Sequence, residues 1–277
     1  MSIQTELRDM ALALASAEGV PAVESIELPP LFEERQPVDC EFMALALEGG
    51  AAGISYVAIP GDAGERYRAL QPRRFRGTRP EAHAADFGCG DPVRDMIALA
   101  AINAICQHAM RSRGSAVDHS GDSLGLMKLR DGDRVGMVGL FRPLLKQLRR
   151  FDAELVILEK NESLIHRHPE LPITLDATKL RDCTKVLCTG TVILNDTLDE
   201  VLAHCTQADH VAVLGPTAGY FPDPLFTRNV DVLGGRYVCD GPLLMKRIAE
   251  HKPWGEATRK LCFQKSHYSS AFGPGGN

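Results

Sequence analysis

Small and polar residues follow several strand-like segments in the second half of the sequence, where they could bind a ligand. In VGMVGLF, Gly136 and Gly139 lie before a predicted helix that has Pro143 in its first turn. Glycine lets the backbone approach a ligand closely, and the free N–H groups at a helix start favour an anion. A tight turn that needs glycine for packing alone is the alternative. The polar loops that follow favour the ligand interpretation.

A carboxylate ends the next predicted strand. Glu159 follows Gly136 at close to the ~20-residue spacing at which a dinucleotide-binding fold places its ribose-binding carboxylate. The GxGxxG pattern is incomplete, however, because Val138 and Phe141 occupy the other two glycine positions. A bulky phenylalanine would block the close approach of a pyrophosphate, so the sequence disfavours ordinary NAD binding.

Loops of similar character follow the third and fourth predicted strands. Open α/β sheets bind ligands outside the carboxyl ends of their strands, so these loops are expected to converge on one crevice. Thr197 and Glu200 form a predicted capping box, which leaves Asn195 either to face that crevice or simply to turn the chain. The loop residues are Thr189, Gly190 and Thr191 after the third strand, and Gly215, Pro216 and Thr217 after the fourth.

Histidines and a cysteine are candidate metal ligands together with Glu159. His166 and His168 alternate in NESLIHRHPELP, and alternating side chains in a strand or extended loop point the same way and can share an ion. Cys89 in ADFGCGD is a further candidate. Solvation without any ligand is the alternative for exposed histidines.

Two other polar segments are expected to be solvated. One is SAVDHSGD, with Asp118, His119 and Asp122. The other, ERYRALQPRRFRGTRP, interleaves Tyr67 and Phe75 with basic residues, a mixture that can also grip phosphate or single-stranded RNA. Its six arginines are Arg66, Arg68, Arg73, Arg74, Arg76 and Arg79.

The bulk composition disfavours several classes of partner. The chain of 277 residues has a formal net charge of −5, so no overall positive field attracts nucleic acid or an anionic membrane. The N-terminus mixes acidic and apolar residues at helical spacing, unlike a signal peptide, and no segment has the apolar length of a membrane span. Cysteines such as Cys106 and Cys188 lie in apolar segments, which favours reduced thiols. We therefore expect a cytoplasmic protein.

The first half of the sequence predicts an α+β unit. An amphipathic helix is expected over 3–18, and strands over 23–28, 42–48 and 54–59, with Gly49, Gly50 and Gly53 marking a hairpin. A long helix follows, with Asp91 as its N-cap and Pro92 in its first turn.

The second half predicts an α/β unit with a parallel sheet. Near-continuous apolar strands alternate with helices, which is typical of a sheet covered on both faces. Strands are expected at 134–140, 154–159, 184–189 and 210–215, with a last strand pair near 230–238; the helices are expected at 143–150, 177–182, 197–206 and 242–250.

The segments GMVGLFRPLLKQL, VILEKN, TGTVILNDTLDEVL, GPTAGYFPDPLF and VDVLGGRYVCD resemble a bacterial and archaeal family named for heavy-metal chelation. The resemblance implies an enolase N-terminal-like α+β domain (1–122) before a Rossmann-like α/β domain (123–277), with a ligand site in the cleft between them. It places Asn103, Gly139, Phe141, Glu159, Thr189 to Thr191, Asn195 and Gly215 to Thr217 in that cleft. NESLIHRHPELP departs from the family pattern, which leaves the ligand's identity open.

The sequence thus favours a protein that binds a metal ion, with a transition metal as the candidate, or a small metal-chelating molecule. Whether it turns a substrate over is left open, as is assembly into a homo-oligomer. The alternative is a Rossmann enzyme that uses a nucleotide or S-adenosylmethionine, with Glu159 on the ribose hydroxyls. A phosphate- or RNA-binding role for the arginine segment is a third hypothesis, which the negative net charge disfavours.

Overall fold

The N-terminal helix has the bounds that the sequence predicts. The computed structural model describes residues 1–31, 41–57, 59–114 and 125–273. Helix α1 (Ile3–Glu18) begins after Ser2, whose side chain accepts a hydrogen bond from the Thr5 amide, and ends at Gly19 in the left-handed conformation. Leu7 and Leu14 on its inner face are fully buried, so α1 is an amphipathic helix on the core of the protein.

Three antiparallel strands follow, in the spatial order β1 (Val23–Glu27), β2 (Phe42–Leu47) and β3 (Ala52–Tyr56). Gly49 and Gly50, both with positive φ, turn the chain between β2 and β3. The sequence predicts Gly53 in that turn as well, but this residue lies inside β3. A Cβ atom there would come within 2.1 Å of a backbone oxygen, that of Ala100, so this glycine permits close packing.

Three helices complete the first unit: α2 (Gly64–Arg68), α3 (Pro80–Ala84) and α4 (Pro92–Ser112). The predicted cap of α4 is confirmed, because Asp91 accepts hydrogen bonds from the amides of Val93 and Arg94 at 2.9 and 3.4 Å. Helix α4 packs against the sheet and α1, and its polar residues Asn103 and Gln107 are 1% exposed. It is therefore the central helix of the fold.

The second unit is built on a seven-stranded sheet in the order β10-β9-β8-β7-β4-β5-β6. All neighbours are parallel except β9 and β10. This is the α/β architecture that the sequence predicts. The strands are β4 (Arg134–Val138), β5 (Glu154–Leu158), β6 (Ile173–Thr174), β7 (Lys185–Thr189), β8 (His210–Leu214), β9 (Val232–Val238) and β10 (Thr258–Gln264).

The expected strand pair near 230–238 is wrong. That segment is one strand, β9. Its antiparallel partner is β10, which follows β9 in the chain after an intervening helix over Gly241–Ala249. Gly235 lies within β9, where a Cβ atom would come within 1.9 Å of the Ala218 carbonyl oxygen. Gly235 therefore lets the backbone of a neighbouring segment pack against β9.

Short helices connect the strands, and the chain reverses its direction of growth across the sheet at β4 and β7. From β4 it proceeds outward through β5 and β6, then returns to β7 and proceeds the other way. This order is typical of doubly wound folds, which bind ligands at the carboxyl ends of the strands at such a reversal. The helices are α5 (Arg142–Leu148), α6 (Ser163–Arg167), α7 (Leu198–His204), α8 (Asp223–Phe226) and α9 (Gly241–Ala249), with a 3-10 segment at Ala177–Asp182.

The side-chain amides of Asn103 and Gln107 on α4 join the units. Asn103 Nδ2 donates to the carbonyl of Ile54 in β3 at 2.7 Å and to that of Thr217, after β8, at 2.9 Å. The predicted boundary between 122 and 123 lies outside the described residues, so the division at that point stays a prediction, as do the names enolase N-terminal-like and Rossmann-like. Among the described helices none is long and apolar enough to cross a membrane.

Replacing Asn103 by leucine should destabilise the protein. The two carbonyls would lose their donor inside the core, and each buried polar group left unpaired costs about 1 to 3 kcal/mol. We expect urea unfolding to give a loss of about 2 kcal/mol or more. Asn229→Leu, at an exposed position, is the control; equal losses in the two variants would contradict the bridging role.

Candidate functional site

The carboxyl ends of β4 and β7 meet at the reversal point of the sheet. Gly139 follows β4 with a φ of 84°, and its amide donates to the Leu158 carbonyl at 2.9 Å. A Cβ atom on Gly139 would lie 2.6 Å from Cγ2 of Thr189, which ends β7. Gly136, in contrast, lies within β4 and is covered by the side chains of Leu180 and Cys183. This glycine therefore permits close packing, which was the alternative to ligand binding.

The carboxylate of Glu159 is anchored to the turn after β4. Its Oε1 accepts a hydrogen bond from the Leu140 amide at 2.6 Å, and Oε2 accepts one from the Lys160 amide at 3.3 Å. The next residue along the turn, Phe141, precedes α5, and its amide donates to the sulfur of Met137. Glu159 is half-buried and therefore remains within reach of a ligand at this edge.

The loop after β7 is a tight 3-10 turn. Thr189 accepts a hydrogen bond from the Thr191 amide at 3.4 Å, and the hydroxyl oxygens of these two residues lie 3.1 Å apart. Asn195 is exposed just beyond. The predicted capping box is wrong: Thr197 makes no side-chain cap bond, since its backbone is near the helical region and does not have the extended geometry of a capping residue.

The loop after β8 packs directly on the β7 loop. Gly215 donates through its amide to Gly234 at 2.9 Å, and a Cβ atom on Gly190 would lie 2.6 Å from the Thr217 hydroxyl. Pro216 is half-buried between these residues. Through the Thr217 carbonyl the loop also reaches Asn103. The structure thus brings the predicted loops after β4, β7 and β8 together along one edge.

An open pocket of about 490 Å³ lies between the two units. Asn195 and its neighbour Leu194 line it from the β7 loop. The first unit contributes the segment after β3 and the start of α4, so both units form its walls. The residues on that side are Tyr56, Val57, Ile59, Pro60, Pro92 and Asp95, which the sequence interpretation missed.

Asp95 is the buried carboxyl group of this pocket, with a relative exposure of 5%. Burial raises its pKa, an effect opposed by hydrogen bonds that it accepts from the amides of Gly88 and Cys89 at 2.8 and 3.2 Å. The available sequence signal was a carboxylate inside the otherwise apolar segment DMIALAA. A carboxyl group that is buried yet lines a pocket is a candidate for ligand recognition.

The histidine pair does not have the predicted extended geometry. His166 lies in the last turn of α6 and His168 caps it, so their side chains do not point the same way. Nε2 of His168 lies 2.6 Å from the Arg142 guanidinium, which can only donate, while Nδ1 lies 3.5 Å from Glu170. A metal on His168 Nε2 would have to displace Arg142.

No three histidine, cysteine or carboxylate side chains converge on a metal-sized site within the described ranges. Cys89 is an exposed thiol beside Asp95. Three further polar residues of the sequence, Asp118, His119 and Asp122, lie outside the described residues. The role of Glu159, His166 and His168 as metal ligands therefore stays a prediction.

A family model named DUF364 and described as "Putative heavy-metal chelation" matches residues 122–265, more than half of the chain. The chain belongs to this family. Two solved structures from the DUF364 family, both of proteins with unknown function, have the same fold. The Pyrococcus horikoshii structure has a TM-score of 0.68 at 16% identity and covers 95% of this chain and 99% of its own. The Desulfitobacterium hafniense structure has a TM-score of 0.67 at 20% identity, over 94% and 98%.

An uncharacterized protein of Methanocaldococcus jannaschii is 28% identical over 135 residues. The match covers 48% of this chain and spans only half of that relative. These comparisons confirm the resemblance to the heavy-metal chelation family and the fold. The family description indicates metal binding and names no ligand residues.

Gly139→Ala should destabilise the protein more than Gly132→Ala. Both positions have φ near 85°, where alanine costs about 1 to 2 kcal/mol, but nothing lies within 4 Å of a Cβ atom on Gly132. The difference between their urea unfolding free energies isolates the contact of Gly139 with Thr189. Equal losses would contradict close packing of the two strand ends.

Glu159→Ala should loosen the turn after β4, because the Leu140 amide loses its acceptor. We expect a loss of about 1 kcal/mol in unfolding free energy, and a smaller loss for Glu159→Gln, which keeps an oxygen acceptor. Glu162→Ala is the control, because Glu162 is exposed and lies two residues beyond Lys160. If Gln and Ala substitutions were equally harmful, the charge of Glu159 and not its hydrogen bond would be the stabilising feature.

Proposed function

We propose that the protein binds a small metal complex, or the metal-chelating molecule itself, in the pocket between its two units. The observation that carries this proposal is the 490 Å³ pocket walled by Asp95 and the residues after β3 on one side and by Leu194 and Asn195 on the other. Its volume lies within the range of small-molecule sites. The metal binding indicated by the family description supports the same conclusion.

The pocket lining favours an organic ligand shell over a bare ion. Heavy and transition metals prefer thiolate and imidazole donors, and the described residues offer no cluster of three such groups. Val57, Ile59 and Leu194 instead provide apolar walls, with polar groups on Tyr56, Asp95 and Asn195. In this proposal the small molecule supplies most of the metal donors and the protein recognises its surface.

Charge favours a cationic complex. Asp95 in the pocket is acidic, as is Glu159 after β5, which is separated from β7 by β4 in the sheet. A buried carboxylate is stabilised by a nearby positive charge. Glu159 and His168 both contact the segment that follows β4. Glu159 accepts a hydrogen bond from the Leu140 amide, and His168 contacts the Arg142 guanidinium. We propose Glu159, His166 and His168 as the protein's own groups that could exchange with the chelator's donors.

The strand order favours a second candidate, an enzyme that uses a nucleotide or S-adenosylmethionine at the reversal point between β4 and β7. Glu159 would then bind ribose hydroxyls. A thermal-shift screen against nucleotides and S-adenosylmethionine separates the candidates. Cofactor stabilisation that Glu159→Ala abolishes would favour this enzyme. Metal-complex titrations unchanged by the same substitution would show that Glu159 is not among the groups that exchange with the chelator's donors. A cytoplasmic location, homo-oligomer formation and the lack of nucleic-acid or membrane partners remain predictions.

Calorimetric titration of protein without a histidine tag tests the proposed ligand class. The probes are nickel, copper and zinc as free ions, the same ions as cationic 2,2′-bipyridine complexes and as anionic nitrilotriacetate complexes, and free 2,2′-bipyridine. We expect the bipyridine complexes to bind at least about tenfold more tightly than the nitrilotriacetate complexes. Asn195→Ala should weaken that binding, whereas Asn229→Ala, at an exposed position, should not. Free ions that bind as tightly as the complexes, or no binding at micromolar concentrations, would contradict the proposal.

Binding of the cationic complex should favour the ionised form of Asp95. Its pKa is raised in the free protein, and a neighbouring positive charge favours the ionised form and lowers that pKa. Affinity should therefore rise as pH increases from about 4, the ordinary carboxyl range, and level off above the raised pKa. Asp95→Asn keeps an acceptor for the Gly88 and Cys89 amides and should remove this dependence. A wild-type profile that is equally flat would exclude Asp95 as the recognition group.

A further inference from the structure

A second pocket, of about 300 Å³, lies on the arginine-rich segment between α2 and α3. None of its lining residues belongs to the strand-end site. Ala69 and Leu70 form an apolar side, and Gln71 and Arg74 add polar groups. The remaining wall consists of the two rings of Phe75 and His83.

The ring wall is held in place by one hydroxyl group. The rings of Phe75 and His83 lie 5.1 Å apart between centroids, at an angle of 41°. The Thr78 hydroxyl donates its hydrogen to the Phe75 carbonyl, so at the 2.8 Å contact with His83 it accepts from Nε2. Burial lowers the pKa of His83, an effect opposed by Asp86, and so favours the neutral ring. The pocket therefore has an aromatic wall whose ring positions are fixed by hydrogen bonding.

Two arginines of this segment are paired within the protein: Arg66 with Asp91, and Arg79 with Glu81 at 3.2 Å. Arg73, Arg74 and Arg76 are exposed, and no carboxylate of the described chain forms an ion pair with them. These exposed guanidinium groups would attract an anionic ligand, for which the described residues offer no competing carboxylate.

We propose that this pocket, which we name the Arg74 pocket, binds a small molecule that joins a planar ring to a phosphate or carboxylate group. The guanidinium fork of Arg74 matches either anion in geometry, and the ring can pack on the aromatic wall beside Leu70. The volume is at the small end for ligand sites, which favours a compact ligand. Single-stranded RNA would need an extended groove with several stacking platforms.

The proposal is tested by calorimetric titration of the full chain with adenosine monophosphate, adenosine, benzoate and inorganic phosphate. We expect adenosine monophosphate or benzoate to bind more tightly than inorganic phosphate, and adenosine to bind the least tightly. The tighter of the two ring-bearing anions shows whether the pocket prefers a phosphate or a carboxylate group. Arg74→Gln should weaken binding at least about tenfold. Arg79→Gln, whose arginine is occupied by Glu81, should change affinity less than about twofold. The NMR ring resonances of His83 should shift on binding.

Three results would overturn the proposed ligand binding at the Arg74 pocket. One is the absence of binding by all four probes at about 10 mM. Another is equal loss of affinity in the Arg74 and Arg79 variants when both have wild-type unfolding midpoints. The last is binding of an oligouridylate alone, weakened alike by Arg73→Gln, Arg74→Gln and Arg76→Gln, which would indicate a nucleic-acid surface. None of these outcomes bears on the metal-complex titrations, because the two pockets share no lining residue.

Discussion

The relative position of the two sheets depends on directional hydrogen bonds from two buried amides of α4. Asn103 binds carbonyls on both sides, and one turn further along Gln107 donates to the carbonyl of Arg236 at 2.9 Å and accepts from the amide of Val238 at 3.0 Å. Apolar packing alone is tolerant of small rotations, whereas buried amides are costly unless their partners are correctly placed. These bonds therefore hold α4, which carries Asp95 at its start, in a fixed position against the second sheet.

The edge that carries the candidate site depends on two glycines whose backbone lies directly against threonine side chains. Gly190 lies against Thr217, and Gly139 lies against Thr189, at separations that no Cβ atom could occupy. The polar groups at this edge are consequently hydroxyls, amides and one anchored carboxylate, Glu159. Such groups suit the recognition of a molecule's shape and hydrogen bonds, and in the proposed function the small molecule supplies most of the metal donors.

Local patterns predicted the elements well, and long-range contacts marked where prediction failed. The bounds of α1 followed from its apolar periodicity and the glycine after it, and the parallel strands from their apolar character. Strand β10 was missed because an edge strand with exposed Arg259 and Lys260 has a weak apolar pattern and pairs across a whole helix. At the site, the convergence of loops followed from a general rule of parallel sheets. The meeting of Asp95 with Asn195, 100 positions apart, depends on how two units dock, which no local pattern records.

The close fit of Gly53 against α4 bears on how a ligand could enter. A Cβ atom at Gly53 would also lie 2.4 Å from the Ala104 amide nitrogen, so β3 and α4 are in backbone contact. The same helix is bonded to the second sheet, and the three parts form one continuous, closely packed body. A hinge between the units would have to break several buried bonds at once. A ligand should therefore enter past the exposed rim of the pocket at Asn195, without rotation of one unit against the other.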